Sequence, residues 1–192
     1  MMDVASVADW RVLENQKPWA EQAPARSMYE FLSATKAAYG NKPAISFQLM
    51  SADGAKAETL TWAGYHGRVT QAANLFRSLG IGPNDVVAYV LPNTMETAVA
   101  MMGASVAGIV NPINPLLDAD QISSILRETK AKVVVTLRAF PKTDVPQKVA
   151  EAVRHAPDVK TVLEIDLLSY LTPPKSWIVP LIRPKNPVEH NA

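Results

Sequence analysis

The chain has 192 residues, 48% hydrophobic and 19% charged, with 19 basic against 18 acidic side chains and a net charge of +1. That composition supplies a real core and excludes a mostly disordered chain. The basic residues are scattered among acids, which argues against nucleic acid as a partner. Cysteine is absent, so disulfides, thiolate metal sites and a cysteine nucleophile are excluded, and a cytoplasmic location fits. The N-terminus carries Asp3, Asp9 and Glu14 with no basic and then apolar segment, so it does not read as a secretory signal. The longest apolar run, 98–110, falls short of the about 20 residues that a membrane span needs.

Residues 1–26 hold Trp10, Pro18, Trp19 and Pro24 without periodicity and read as an irregular arm whose tryptophans dock on the domain. Ser27 and Glu30 have capping-box spacing and open a helix that runs to about Tyr39 and stops at Gly40. Ile45, Phe47 and Leu49 alternate with Ser46 and Gln48, the period of a half-buried strand. Asp53-Gly54 turns the chain into a second strand over 59–62, completing a hairpin. Tyr65, Val69, Ala72, Phe76 and Leu79 then share one face of a helix ending at Gly80, while His66, Arg68, Gln71 and Arg77 are expected in solvent.

Residues 86–90, 109–113 and 132–137 are apolar, β-rich runs separated by segments long enough for crossover helices. Such runs suit a parallel sheet covered on both faces. The helix over 94–107 is apolar nearly all round, so it is expected to be buried on more than one side. Pro112 cannot donate to a ladder, which puts its strand at an edge or ends its pairing early. Asp118 and Gln121 repeat the capping-box pattern, with Ile122, Ile125 and Leu126 as the inner face. Val145, Val149, Ala152 and Val153 mark a further amphipathic helix, and 159–165 a fourth strand.

From Thr172 the character changes. Pro173, Pro174, Pro180, Pro184 and Pro187 argue against a helix or central strand. Yet Trp177, Ile178, Val179, Leu181 and Ile182 are too apolar for a solvent linker and want a surface to cover. The expected fold class is α/β: a mostly parallel sheet with helices on both faces, preceded by a helix and a β-hairpin. Its parts are an irregular arm (1–26), an α/β subdomain (27–171) and a Pro-rich apolar tail (172–192), which stops without a closing element, as a cut would leave it.

Candidate chemistry is sparse. Gly80 and Gly82 follow a helix rather than a strand and lack a third glycine, so they read as a helix end and turn rather than a dinucleotide fingerprint. Gly103 and Gly108 have P-loop spacing, but Ile109 and Val110 stand where Lys and Ser/Thr are required. Ser105 lies inside a helix instead of at a strand-to-helix elbow, and close helix–sheet packing is the expected role of its flanking glycines. His66, His155 and His190 are far apart; Glu151 before His155 reads as a solvated i,i+4 contact. Asp118/Asp120 and Glu164/Asp166 read as capping groups. No catalytic, cofactor-binding or metal-binding residue is assigned. On geometry alone, ligands of open α/β sheets sit outside the carboxyl ends of the strands. Here that rim is Leu91-Pro92-Asn93, Asn114-Pro115 and Arg138, with turn and capping roles expected for both asparagines.

Several short motifs occur in a fixed order: Thr61-Trp62 after the hairpin, a Gly-x-x-Asp-x-Val strand start (Gly82, Asp85, Val87), a Leu-Pro-Asn turn (91–93), and Ala-Gly-Ile-Val-Asn-Pro-Ile-Asn-Pro (107–115). Together they resemble the N-terminal part of the AMP-forming acyl-CoA synthetases of the adenylate-forming ligase superfamily, over roughly residues 28–165. One departure is Gly64, where that family commonly has a glutamate. The resemblance implies a parent that uses ATP, Mg²⁺ and coenzyme A to convert a carboxylate to acyl-CoA, AMP and pyrophosphate, within fatty acid metabolism. It also implies a Gly/Ser/Thr loop ending in Lys, a Mg²⁺ ligand and a lysine on a mobile C-terminal domain, none of which this sequence contains. The expectation is therefore a scaffold segment, inactive alone and binding no cofactor alone, whose partner is the remainder of the ligase and whose apolar surface promotes self-association. The competing expectation is a complete small α/β module that binds a ligand or partner at the rim without catalysis.

Overall fold

The computed structural model describes residues 5–18, 21, 25–51 and 57–187. Two antiparallel strands, β1 (Pro43–Gln48) and β2 (Ala57–Thr61), form the hairpin, and a four-stranded parallel sheet follows. The expected Asp53-Gly54 turn lies outside the described residues, as do Trp19, Pro24 and His190. The sheet has the order β4 (Ile109–Ile113), β3 (Val86–Val90), β5 (Val133–Leu137), β6 (Thr161–Ile165). Pro112 sits on β4, an edge strand, where its missing N–H costs least.

The helices are α1 (Val7–Glu14), α2 (Met28–Tyr39), α3 (Trp62–Ser78), α4 (Met95–Ala107), α5 (Ala119–Thr129), α6 (Val145–Arg154) and α7 (Lys175–Ile182), with a 3₁₀ turn at Leu167–Tyr170. From β3 the chain steps one way to β4, then the other way to β5 and β6. Right-handed crossovers therefore place α4 on one face and α5 and α6 on the other. Packing agrees, because α4 lies along α3 and α5 along α6. Between the layers Val87, Val90, Val133 and Val134 are fully enclosed, with Met95 above and Ile122, Leu126 and Val149 below.

The start of each element has a local cause. Ser27 Oγ accepts from Glu30 N, but Glu30 Oε2 accepts from Arg26 N, one residue before the cap, so only half of the expected capping box forms. Thr61 Oγ1 accepts from Gly64 N at 3.2 Å and starts α3 at Trp62, so the expected strand end at Trp62 is instead the first helical residue. Asp118 and Gln121 form the complete box, at 2.8 and 3.1 Å. The Gly82–Asp85 motif is a tied turn: Asp85 Oδ2 accepts from Gly82 N at 2.9 Å, and Oδ1 meets Lys132 Nζ at 2.7 Å.

Several expectations fail, each for a physical reason. The arm contains a helix, α1, because Ser6 and Asp9 form a capping box that the proline and tryptophan count obscured. None of its residues is buried, and Trp10 is 59% exposed instead of docked. The tail also contains a helix, α7; Pro180 lies inside it and leaves the short helix intact. Leu79 is 36% exposed, since it is already the C-cap of α3. His66 is buried, not solvated: it stacks against Tyr29, and its Nε2 lies 3.0 Å from Ser33 Oγ. Gly103 packs helix on helix, not helix on sheet, because a Cβ there would sit 2.6 Å from Ala72 Cβ on α3. At Gly108 a Cβ would come within 2.5 Å of Asp85 O, so backbone closes on backbone where α4 hands over to β4.

Candidate functional site

The carboxyl ends of β3 and β5 flank the point where the strand order reverses, the place where doubly wound sheets bind ligands. A hollow of about 490 Å³ opens there. Pro92, Pro115 and Leu137 line its inner side, and Leu116, Lys142 and Asp144, all exposed, form its mouth with Thr143. Of the rim residues expected from sequence, Pro92 and Pro115 reach the hollow. Leu91 belongs to the core, and Asn93 is exposed. Asn114 does what short polar turn residues do: its Oδ1 accepts from Leu116 N at 3.0 Å. Arg138 is drawn away to the β6 edge, 3.6 Å from Asp166.

The mouth was missed in the sequence. Lys142 has a left-handed backbone (φ 65°), and Thr143 Oγ1 accepts from Val145 N at 3.3 Å. Asp144 pairs with Lys148 at 3.0 Å. A signal was present, since Thr-Asp directly before Val145-Pro146 is a helix-start pattern with proline early in the first turn. Chemically, the hollow is an apolar wall with one cation and one acid at its entrance. It can hold an apolar group but offers no row of donors for a polyphosphate.

The remaining candidates are structural. Ser105 Oγ donates to Met101 O at 2.9 Å within its own helix. Glu151 and His155 meet at 3.4 Å as an exposed i,i+4 pair. Asp166 accepts from Leu168 N at 3.0 Å as the expected cap, and also grips the Arg183 guanidinium at 2.8 and 3.0 Å. Among the described residues no group of three His, Asp or Glu side chains converges as a metal site.

Two polar groups are buried outside the hollow. Tyr170 donates its phenol to Glu96 Oε1 at 2.7 Å, and the edge of Phe47 packs against its ring. Burial first, and then that bond, push the phenol far above its ordinary range, so it stays a donor. Glu96 in turn lies in the first turn of α4, where the helix N-terminus favours a carboxylate. Tyr170 thus ties the chain after β6 to the helix after β3. On the far side, Ser33 Oγ donates to Tyr29 O, which leaves His66 Nε2–H as the donor to Ser33. Burial, and next the charge of Lys36, hold this imidazole below its ordinary range.

Comparison with known proteins decides the family. The family described as AMP-binding enzyme matches residues 32–189. The chain belongs to it. It is 31% identical over 152 residues to the marinolic acid–CoA ligase of Pseudoalteromonas sp., covering 79% of this chain and 23% of that protein. It is 35% identical over 115 residues to the acetyl-coenzyme A synthetase of Sodalis glossinidius, covering 57% of this chain and 18% of the relative. Among solved structures, the N-terminal domain of FACL13 from Mycobacterium tuberculosis superposes with a TM-score of 0.60 at 21% identity, covering 73% of this chain and 34% of that one. A benzoate CoA ligase from Burkholderia xenovorans gives 0.60 at 19%, covering 73% of this chain and 26% of that one. The last two are likenesses of fold. The chain therefore spans less than a quarter of these curated relatives, and the resemblance drawn from Thr61-Trp62 through Pro115 stands.

Proposed function

We propose that this chain is the N-terminal scaffold of an ATP-dependent, AMP-forming acyl-CoA ligase, with residues 27–171 as its structural unit. In the whole enzyme a carboxylate and ATP would give an acyl-adenylate and pyrophosphate, and coenzyme A would then displace AMP. Support comes from the family match over 32–189 in a chain spanning 23% of a CoA ligase relative. The observation that carries the reading is the make-up of the rim. Nucleotidyl transfer needs several cations or a metal aimed at the developing phosphate charge. The described rim presents prolines and leucines, with Lys142 and Asp144 at the mouth. Asp144 is paired with Lys148 and Arg138 with Asp166. Among the described residues, then, no cluster of cations faces a phosphate and no second carboxylate joins Asp144 to hold Mg²⁺. No step is therefore assigned to residues of this chain; ATP, Mg²⁺ and coenzyme A belong to the whole enzyme.

On this reading the chain's part is to present surfaces to the remainder of the ligase. Met28 and Phe31 on α2, each 47% exposed, are side chains that such a partner would cover, and in isolation they favour self-association. The test is direct. The 192-residue chain, incubated with ATP, Mg²⁺ and a panel of carboxylates, is expected to release no pyrophosphate above the enzyme-free background. Release that depends on both ATP and carboxylate would overturn the inert-scaffold reading. Light scattering over a concentration series is expected to show mass rising with concentration, and a constant monomer mass would remove the self-association.

A further inference from the structure

Helix α7 presents an unusual surface. Trp177, Ile178, Leu181 and Ile182 are 69%, 48%, 85% and 62% exposed. At 100° per residue they share one arc of the helix, while Ser176, Val179 and Arg183 occupy the opposite arc and are half-buried. The inner arc is held by polar bonds. Arg183 grips both oxygens of Asp166, and Asn186 Nδ2 donates to Glu164 Oε2 at 2.8 Å. A forked guanidinium–carboxylate pair fixes orientation as well as position. The helix is thus clamped with its apolar arc turned outward.

The exposed charges described beside that arc are basic. From Leu167 to Val188 the sequence contains Lys175, Arg183 and Lys185 and no aspartate or glutamate, with Glu189 following. Arg183 is neutralised by Asp166, which leaves the two lysines. Lys175 and Lys185, one at each end of α7, are exposed. Two carboxylates that this segment touches, Glu164 and Asp166, are engaged on the inner side by Asn186 and Arg183. A tryptophan beside aliphatic side chains, bracketed by lysines, is the pattern of a segment that lies in a lipid interface. The indole and lysine stems suit the headgroup level, and the basic ends suit anionic lipid. A protein partner would instead be expected to meet these lysines with acids.

We propose that α7 is an interfacial anchor that docks this chain on an anionic membrane surface, with its apolar arc at the headgroup boundary. The helix lies on the bilayer; among the described residues no helix is long and apolar enough to cross one. This inference does not rest on the ligase reading, and either can fail alone.

The experiment is co-flotation of the 192-residue chain with vesicles of phosphatidylcholine plus phosphatidylglycerol, compared with phosphatidylcholine alone. Binding is expected to the anionic vesicles and to fall at high salt, with a blue shift of tryptophan emission that Trp177→Phe removes. Leu181→Asp should abolish binding while leaving the far-ultraviolet circular dichroism unchanged, because Leu181 is almost wholly exposed. Lys175→Gln with Lys185→Gln should weaken binding roughly thirtyfold, at about 1 kcal/mol for each basic residue near the surface. Equal binding to both vesicle types, or binding that survives Leu181→Asp, would overturn the proposal. So would a dimer that Leu181→Asp disperses while neither vesicle is bound, since that result assigns the arc to a second copy of the chain.

Discussion

Strand β5 (VVVTL) and helix α7 (KSWIVPLI) are both dominated by large apolar side chains, yet every residue of β5 is buried and none of α7 is. The strand lies between β3 and β6 with helices on both faces, so each side chain meets another layer whichever way the pleat points it. The helix follows the last strand, and its inner arc is held by a guanidinium, a carboxylate and an amide. Apolar content says that a segment wants cover. Only a facing layer says whether it has any.

The largest expected contrast follows from that difference. Leu137→Ala, at a site 2% exposed, should cost about 2–5 kcal/mol. Leu181→Ala, at a site 85% exposed, should stay within about 0.5 kcal/mol. Urea unfolding of the two variants beside the parent chain measures both, and equal losses would mean that α7 is covered in solution.

Next in size is the α3–α4 contact. Gly103→Val forces side-chain atoms where even a Cβ would lie 2.6 Å from Ala72 Cβ, and should cost about 1–3 kcal/mol. Gly67→Ala, on the same helix pair but with nothing within 4 Å, should instead gain about 0.5–1 kcal/mol. A shared sign for the two changes would contradict the packing described.

A smaller and more local effect is expected at the clamp. Arg183→Ala removes two of the contacts to Asp166 and leaves it the Leu168 N–H at 3.0 Å and Arg138 at 3.6 Å. Amide exchange should speed up through α7 while β3 and β5 keep their protection. The smallest effect is a pH slope. His66 is held below its ordinary value in the fold, by burial and then by Lys36, so folding favours its neutral form. Its contribution is therefore complete above the unfolded imidazole value of about 6.5 and is lost as pH falls through the folded one. His66→Gln should flatten the denaturation midpoint across that window.

The hydrophobic period made the doubly wound core legible. Alternation at Ile45, Phe47 and Leu49, continuous runs at Val86 and Val133, and the Asp118–Gln121 box all encode local geometry, and that geometry appears with ends shifted by a residue or two. The hollow was half legible: strand-end logic found Pro92 and Pro115. It missed Lys142, because a left-handed lysine has no sequence marker, and Thr143, whose only marker is the helix-start pattern before Val145-Pro146. His66 was placed in solvent from the wheel of α3 alone, without α2, whose Tyr29 and Ser33 cover it.

By itself the sequence determined which segments become strands and helices, that Pro112 lies on an edge, and to which family the chain belongs, because these depend on neighbours a few residues apart. Tertiary structure alone decided that Arg138 and Arg183 converge on Asp166, that Tyr170 ties to Glu96, and that α7 keeps its apolar arc outward. Those contacts join groups 17–74 positions apart, and no periodic pattern records which distant partner a folded backbone will bring within 4 Å.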